Sequence, residues 1–142
     1  MKTEAGLKKY IKDWLVGLNL GVVLMDRRAM DDTTKMKAIR TYIVVDFPDG
    51  IWNEGPWFRA NCTVCIGSRD KARFVADLET LDKACAKFLE QFDYNDDENG
   101  VSMIDVEFVE DYAVGSDDHE CQYVFDVIAE RDQTDIEPKF NR

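Results

Sequence analysis

"TYIVVDFPDGIWNEGPWFRANCTVCIG", residues 41–67, decides the fold. Its first seven residues are mostly β-branched or aromatic, and a strand there places Ile43, Val45 and Phe47 on one face. Pro48-Asp49-Gly50 supplies turn chemistry after it. From Trp57 the chain alternates strictly, so that Phe58, Ala60, Cys62, Val64 and Ile66 share one face of a second strand. Together the two runs predict a β-hairpin with a long tip, residues 48–57, in which Trp52 and Trp57 stand among glycines, prolines and acids.

On the amino-terminal side, Leu7, Tyr10, Ile11, Trp14, Leu15 and Leu18 recur at the spacing of one helical face, which predicts a helix over 3–18. Asn19 and Gly21 supply its stop. "VVLMD", residues 22–26, reads as either a short strand or a buried connector, and the charged, weakly periodic stretch 26–40 as a loop. On the carboxyl side, Ser68 or Asp70 caps a long helix over about 70–92. Its stripe is Phe74, Leu78, Leu81, Cys85, Phe88, Leu89 and Phe92, and the acidic "DYNDDENG" ends it. Ile104, Val106 and Phe108 then alternate with acids, and Cys121, Tyr123, Phe125, Val127 and Ala129 alternate with polar neighbours. "VGSDDHE" joins these two strands as a hairpin loop.

The order α-β-β-α-β-β, without repeat or linker, predicts an α+β fold. An antiparallel or mixed sheet of about four strands carries the two helices on one face, and residues 1–131 make a single domain. Residues 132–142 have little apolar content beyond Ile136 and Phe140 and are expected to form an arm or flexible tail.

Composition narrows the partners. A 45% hydrophobic share places the chain of 142 residues among globular proteins with one core. Eighteen Lys plus Arg against 29 Asp plus Glu give a formal charge of -11, which disfavours direct nucleic-acid binding. Against that background Arg27, Arg28, Lys35, Lys37 and Arg40 form a local basic cluster, either a solvated connector or a contact for acidic surfaces of another subunit. The amino terminus mixes lysines and acids and lacks the apolar run of a signal peptide. No apolar stretch approaches the roughly 20 residues of a membrane helix. The expectation is a cytosolic chain without membrane association, its four cysteines reduced.

Motifs for catalysis or metal binding break down on spacing. Cys62-x-x-Cys65 lies inside a strand, where positions three apart face opposite ways, so the two thiols do not converge on zinc. "NDDENG", residues 95–100, begins like a calcium loop, but its twelfth position is Val106 where a bidentate Glu belongs; a solvated loop with at most weak cation binding over Asp93–Gly100 is expected. His119 is the one histidine, in an acidic loop, and there is no glycine-rich phosphate loop. No catalytic residue, metal ligand or cofactor is assigned.

The succession of a helix, a connector, a hairpin, a long amphipathic helix and a second hairpin resembles the tail terminator, or tail completion, proteins of long-tailed bacteriophages. "RTYIVVDF" resembles that family's first central strand, "RANCTVCIGSRDKARFVADLETLDKACAKFL" its strand-then-helix passage, and "ECQYVFDVIAERD" its closing strand. The resemblance implies a non-enzymatic structural protein that caps the tail tube as a ring, usually of six subunits, and meets head-completion proteins. It would reside in the cytoplasm of a bacterial host during assembly, and in the virion if the phage is active. Trp52, Trp57 and Phe58, with Arg27 and Arg28, are the candidate interface residues, the tryptophans either meeting a partner or folding back over their own core. The alternative class is a monomeric acidic binding module, of inhibitor or immunity type, seated in a basic partner's cleft.

Overall fold

Thr3 opens the first helix. Its backbone is extended and its hydroxyl accepts a hydrogen bond from the Gly6 amide at 3.0 Å, satisfying one of the donors that a helix start leaves orphaned. The helix that follows, α1 (Glu4–Gly17), buries Leu7, Ile11 and Leu15 completely. It ends at Leu18, after which Asn19 takes a left-handed φ of 55°. The periodicity of its apolar positions thus located this helix to within a residue at each end. The computed structural model describes residues 1–31 and 39–131; Lys35, Lys37 and the carboxyl-terminal segment 132–142 lie outside them.

Val22–Leu24 is a strand, β1, which settles the alternative left open for "VVLMD". It pairs in parallel with β2 (Thr41–Asp46), and a parallel neighbour needs a crossover between the two strands. That connection begins with a short 3-10 helix, Arg27–Asp31. The expected hairpin is present but its tip is more ordered than a loop. β3 (Ile51–Glu54) and β2 lie one after the other along the same edge of β4 (Trp57–Arg69), both antiparallel to it. The turn itself is only Gly55-Pro56. Gly55 has φ 62°, and since proline cannot adopt a positive φ the pair fits a type II′ turn.

The second half supplies α2 (Leu78–Leu89), β5 (Tyr94–Asp96), β6 (Val101–Val114) and β7 (Asp118–Glu130). The sheet has seven strands in the order β1-β2-β4-β7-β6-β5, with β3 beside β4. About four strands were expected; the additional ones, β1, β3 and β5, are three or four residues long, too short to display a period. Both helices pack on one face, as expected, over Ile43, Val45, Phe58, Cys62, Val64, Ile66, Tyr123, Phe125 and Val127. Trp14 of α1 and Phe88 of α2 meet there, ring centroids 6.2 Å apart, and both lie about 6 Å from Phe125.

Two expectations need correction. The second helix does not run from 70 to 92. Asp77, rather than Ser68 or Asp70, is its N-cap: it accepts from the Thr80 amide at 3.3 Å and the Thr80 hydroxyl at 2.9 Å. The amides of Asp70 and Phe74 bond instead to the carbonyls of Asp117 and Ser116 in the β6–β7 turn, so tertiary hydrogen bonds displace the helical ones. Phe74, at φ 63°, is exposed rather than part of the stripe, and the true stripe is Leu81, Cys85 and Phe88. Similarly, Ile104 does not share a face with Val106 and Phe108. A β-bulge between Ile104 and Glu107, with Asp105 at φ 57°, shifts the alternation by one residue.

Candidate functional site

The face of the sheet away from the helices carries the odd-numbered residues of β4 and the even-numbered residues of β7. One cross-strand row on this outer face decides its chemistry. Tyr42 of β2 stands opposite Gly67 of β4, Gly67 opposite Glu120 of β7, and Glu120 opposite Tyr112 of β6. The Tyr42 ring lies over Gly67, where an added Cβ would sit 2.2 Å from Tyr42 Cζ; a glycine is therefore required for the phenol to reach its neighbour but one.

That neighbour is a fully buried carboxylate, Glu120. Arg27 from the 3-10 helix grips it with both nitrogens, Nη1 to Oε2 at 2.7 Å and Nη2 to Oε1 at 2.8 Å. The Tyr42 hydroxyl donates to Oε2 at 2.7 Å and the Tyr112 hydroxyl to Oε1 at 2.9 Å. Four donors thus occupy the carboxylate's lone pairs. Burial opposes its charge, but Arg27 and the two hydroxyls outweigh burial and hold Glu120 below its ordinary range. Burial, reinforced by the same carboxylate, pushes the Tyr42 phenol up. The Tyr112 hydroxyl also lies 3.3 Å from Cys65 Sγ, and burial raises that thiol. With every acceptor site filled, Glu120 is a clasp that pins the β1–β2 crossover to the sheet, and it has no lone pair left for proton transfer to a ligand.

Beyond the clasp the outer face is open. Three depressions of about 520, 630 and 370 Å³ follow one another along β4 and β7. Thr63 lines the first and second, and Asn61 and Asp126 line the second and third. The first is bordered by Arg28 and Asp46, the second by Asp49, Asp105 and Glu107, and the third by Trp52, Glu54 and Arg59. Residues directly opposite in an antiparallel pair share a face, so the pairs Trp52–Arg59 and Glu54–Trp57 put both tryptophans on the outer side. They are 43% and 40% exposed, and an ion pair of 3.5 Å joins Arg59 to Glu54 between them.

Of the five candidate interface residues, Trp52, Trp57 and Arg28 therefore reach this surface. Arg28 is paired locally with Asp26, whose carboxyl it holds down to a pKa of about 2. Arg27 reaches the same side but its guanidinium is committed to Glu120. Phe58 is corrected: it is buried in the core on the opposite face, beneath the Arg131 guanidinium, because it alternates with Trp57. Arg40, from the basic cluster, is bound to the helix-capping Asp77 at 2.6 Å. What sequence reasoning missed is Glu120 with Tyr42 and Tyr112. Their one visible signal is Gly67, a glycine inside an otherwise apolar strand.

The cysteine pair behaves as the strand period requires, Cys62 packing in the helix-side core and Cys65 in a separate cluster with Tyr42 and Val44. His119 bonds Asp70 at 2.6 Å. In the acidic turn, Asp96 accepts from the Tyr10 hydroxyl and from the Asn99 amide and side chain, while Asn95 donates to Asp97 at 2.7 Å. These oxygens are turned on one another. Among the described residues no group of three or more His, Cys, Asp or Glu is placed to hold a metal ion, and no helix is long and apolar enough to cross a membrane. Compared with protein-family models, with curated proteins and with solved structures, the chain matches none of them.

Proposed function

We propose that this protein is a structural, non-enzymatic subunit of a phage tail, which closes as a ring on the tail tube and joins it to head-completion proteins, as the resemblance in element order implies. The observation that carries the reading is the outer face: two half-exposed tryptophans on one hairpin, beside a continuous run of depressions floored by β4 and β7. Large aromatic side chains with one N–H donor, held on rigid strands, are the usual anchors of protein interfaces.

A ring needs head-to-tail contacts, so damage to one of the two unlike surfaces breaks every contact. The test is Trp52→Asp with Trp57→Asp, which leaves the helix-side core untouched. Light scattering across a concentration series should show loss of the oligomer, and tubes assembled with the variant should fail to terminate at normal length. Tubes that still end normally would refute the assignment of these tryptophans. A second reading, the monomeric acidic binding module, is favoured by the net charge of -11; a concentration-independent monomer with normal affinity for a basic protein partner supports it instead.

A further inference from the structure

A second surface, on the helix side of the sheet and remote from the tryptophans in register, has the opposite balance of features. Between α2 and β6 runs a groove of about 560 Å³ whose apolar lining is Leu78, Leu81, Phe108 and Tyr123. Leu78 is 67% exposed and Phe108 56%, and exposed Phe74 and Val75 precede Leu78 in the chain. Leu78 and Phe108 form the exposed rim of a groove whose floor is the buried Leu81 and Tyr123, and an apolar cleft with an exposed rim marks an interaction surface rather than ordinary scatter.

Acids flank it. Glu79, Asp82 and Asp111 line the groove, Glu79 held by Lys83 at 3.0 Å, whereas Glu107 and Glu110 face the other side of the sheet. Asp82 and Asp111 have no ion-pair partner among the described residues. Five arginines are paired with carboxylates elsewhere, Arg27 with Glu120, Arg28 with Asp26, Arg40 with Asp77, Arg59 with Glu54 and Arg69 with Asp118, while Arg73 lies over the Phe74 ring. The strand edge adds a constraint. β5 covers the outer edge of β6 only over 101–103, and two bulges in the β6–β7 ladder, between Ile104 and Glu107 and between Phe108 and Glu110, bend the strand beyond it. An added strand finds no regular register there, so the surface recognises side chains.

We infer that the α2–β6 groove binds a basic amphipathic segment of another protein, its apolar side chains seated on Leu78, Leu81, Phe108 and Tyr123 and its lysines or arginines against Asp82 and Asp111. Charge selects this occupant over a second copy of the chain, which carries -11 itself and brings like charge to the groove. The inference is independent of the tryptophan surface and stands or falls separately from it.

Three synthetic peptides of equal length test it by calorimetry at about 0.15 M ionic strength: one with leucines on one helical face and lysines elsewhere, one with glutamates replacing the lysines, and one with serines replacing the leucines. The lysine–leucine peptide should bind at least about tenfold more tightly than either control. Leu78→Ser with Phe108→Ser, both at exposed positions, should remove that preference. Asp82→Lys with Asp111→Lys should weaken binding about tenfold or more. Asp97→Lys with Glu98→Lys, the same charge change in the distant turn, should weaken it less than about threefold. Circular dichroism confirms that each variant is folded. Equal loss from the two charge reversals, equal binding of the lysine–serine peptide, no binding of the lysine–leucine peptide, or a self-association abolished by Phe108→Ser would each overturn the inference.

Discussion

Replacing Glu120 by Gln changes one atom's charge and proton count while keeping the side chain's shape, and it tests the clasp on the outer face. The carboxylate accepts four hydrogen bonds, two from Arg27 and one each from Tyr42 and Tyr112. An amide keeps one acceptor oxygen and sets an N–H₂ group against two of these donors. The Arg27 side chain is 46% exposed and can turn to water, which limits its share of the loss. Tyr42 is wholly buried, and an orphaned buried hydroxyl costs about 1–3 kcal/mol. Adding weakened charge-assisted bonds, the expected destabilisation is about 2–4 kcal/mol. With a urea slope of about 1–3 kcal/mol per molar, the unfolding midpoint should fall by roughly 0.7–4 M. Arg27→Ala should cost more, about 3–5 kcal/mol, because it strands the charge inside. The pH dependence has a fixed sign. Glu120 titrates lower in the fold than in the unfolded chain, where a glutamate titrates near 4.3. Its stabilisation is complete above the unfolded value and is lost as pH falls through the folded one. The gap between wild type and Glu120→Gln should therefore narrow from pH 7 to pH 3. Equal midpoints at pH 7, or a gap that does not narrow in acid, would refute the clasp.

Other outcomes follow from the packing. Gly67→Ala should cost about 1–3 kcal/mol in thermal unfolding, since the new methyl group falls 2.2 Å from Tyr42 Cζ and drives the ring off Glu120. Leu81→Ala should lower stability by about 2–5 kcal/mol whereas Leu78→Ala, three residues earlier in the same helix, should change it by less than about 0.5 kcal/mol; equal effects in denaturant titrations would mean that the helix is rotated from its described setting. Asp77→Ala removes both the cap of α2 and the partner of Arg40, and should cost about 1–2 kcal/mol with a loss of helical circular dichroism.

The long-period features were legible in the sequence. Leu7, Ile11 and Leu15, and again Leu81, Cys85 and Phe88, repeat over enough turns to fix which face is buried. The alternation from Phe58 to Ile66 likewise revealed β4, and with it the separation of Cys62 from Cys65. Features created by distant partners were not legible. Phe74 and Leu78 extend the helical spacing on paper, yet the carbonyls of Ser116 and Asp117 capture the backbone ahead of Asp77. Glu120 reads as one more polar residue on a half-exposed strand. Only the register of four strands, unobtainable from local pattern, shows that it faces Tyr42, Tyr112 and Arg27 at once. Phe58 shows the converse limit, since neighbouring aromatic residues in a strand point to opposite faces and only one of Trp57 and Phe58 reaches solvent.

The position of β7 inside the sheet bears on how the chain folds while it is being made. β4 pairs with β7 along all of residues 57–69, and the partner residues are 118–130, so the ladder joins segments far apart in the chain. Between Arg69 and Glu130 the ribosome adds 130 - 69 = 61 residues, roughly 3–12 s of synthesis at ordinary rates. Throughout that interval one edge of β4 has no ladder partner. A nascent chain in that state offers a long, flat strand edge to its neighbours on the same message, and a host that tolerates high expression of this protein must shield the edge until the last strand arrives.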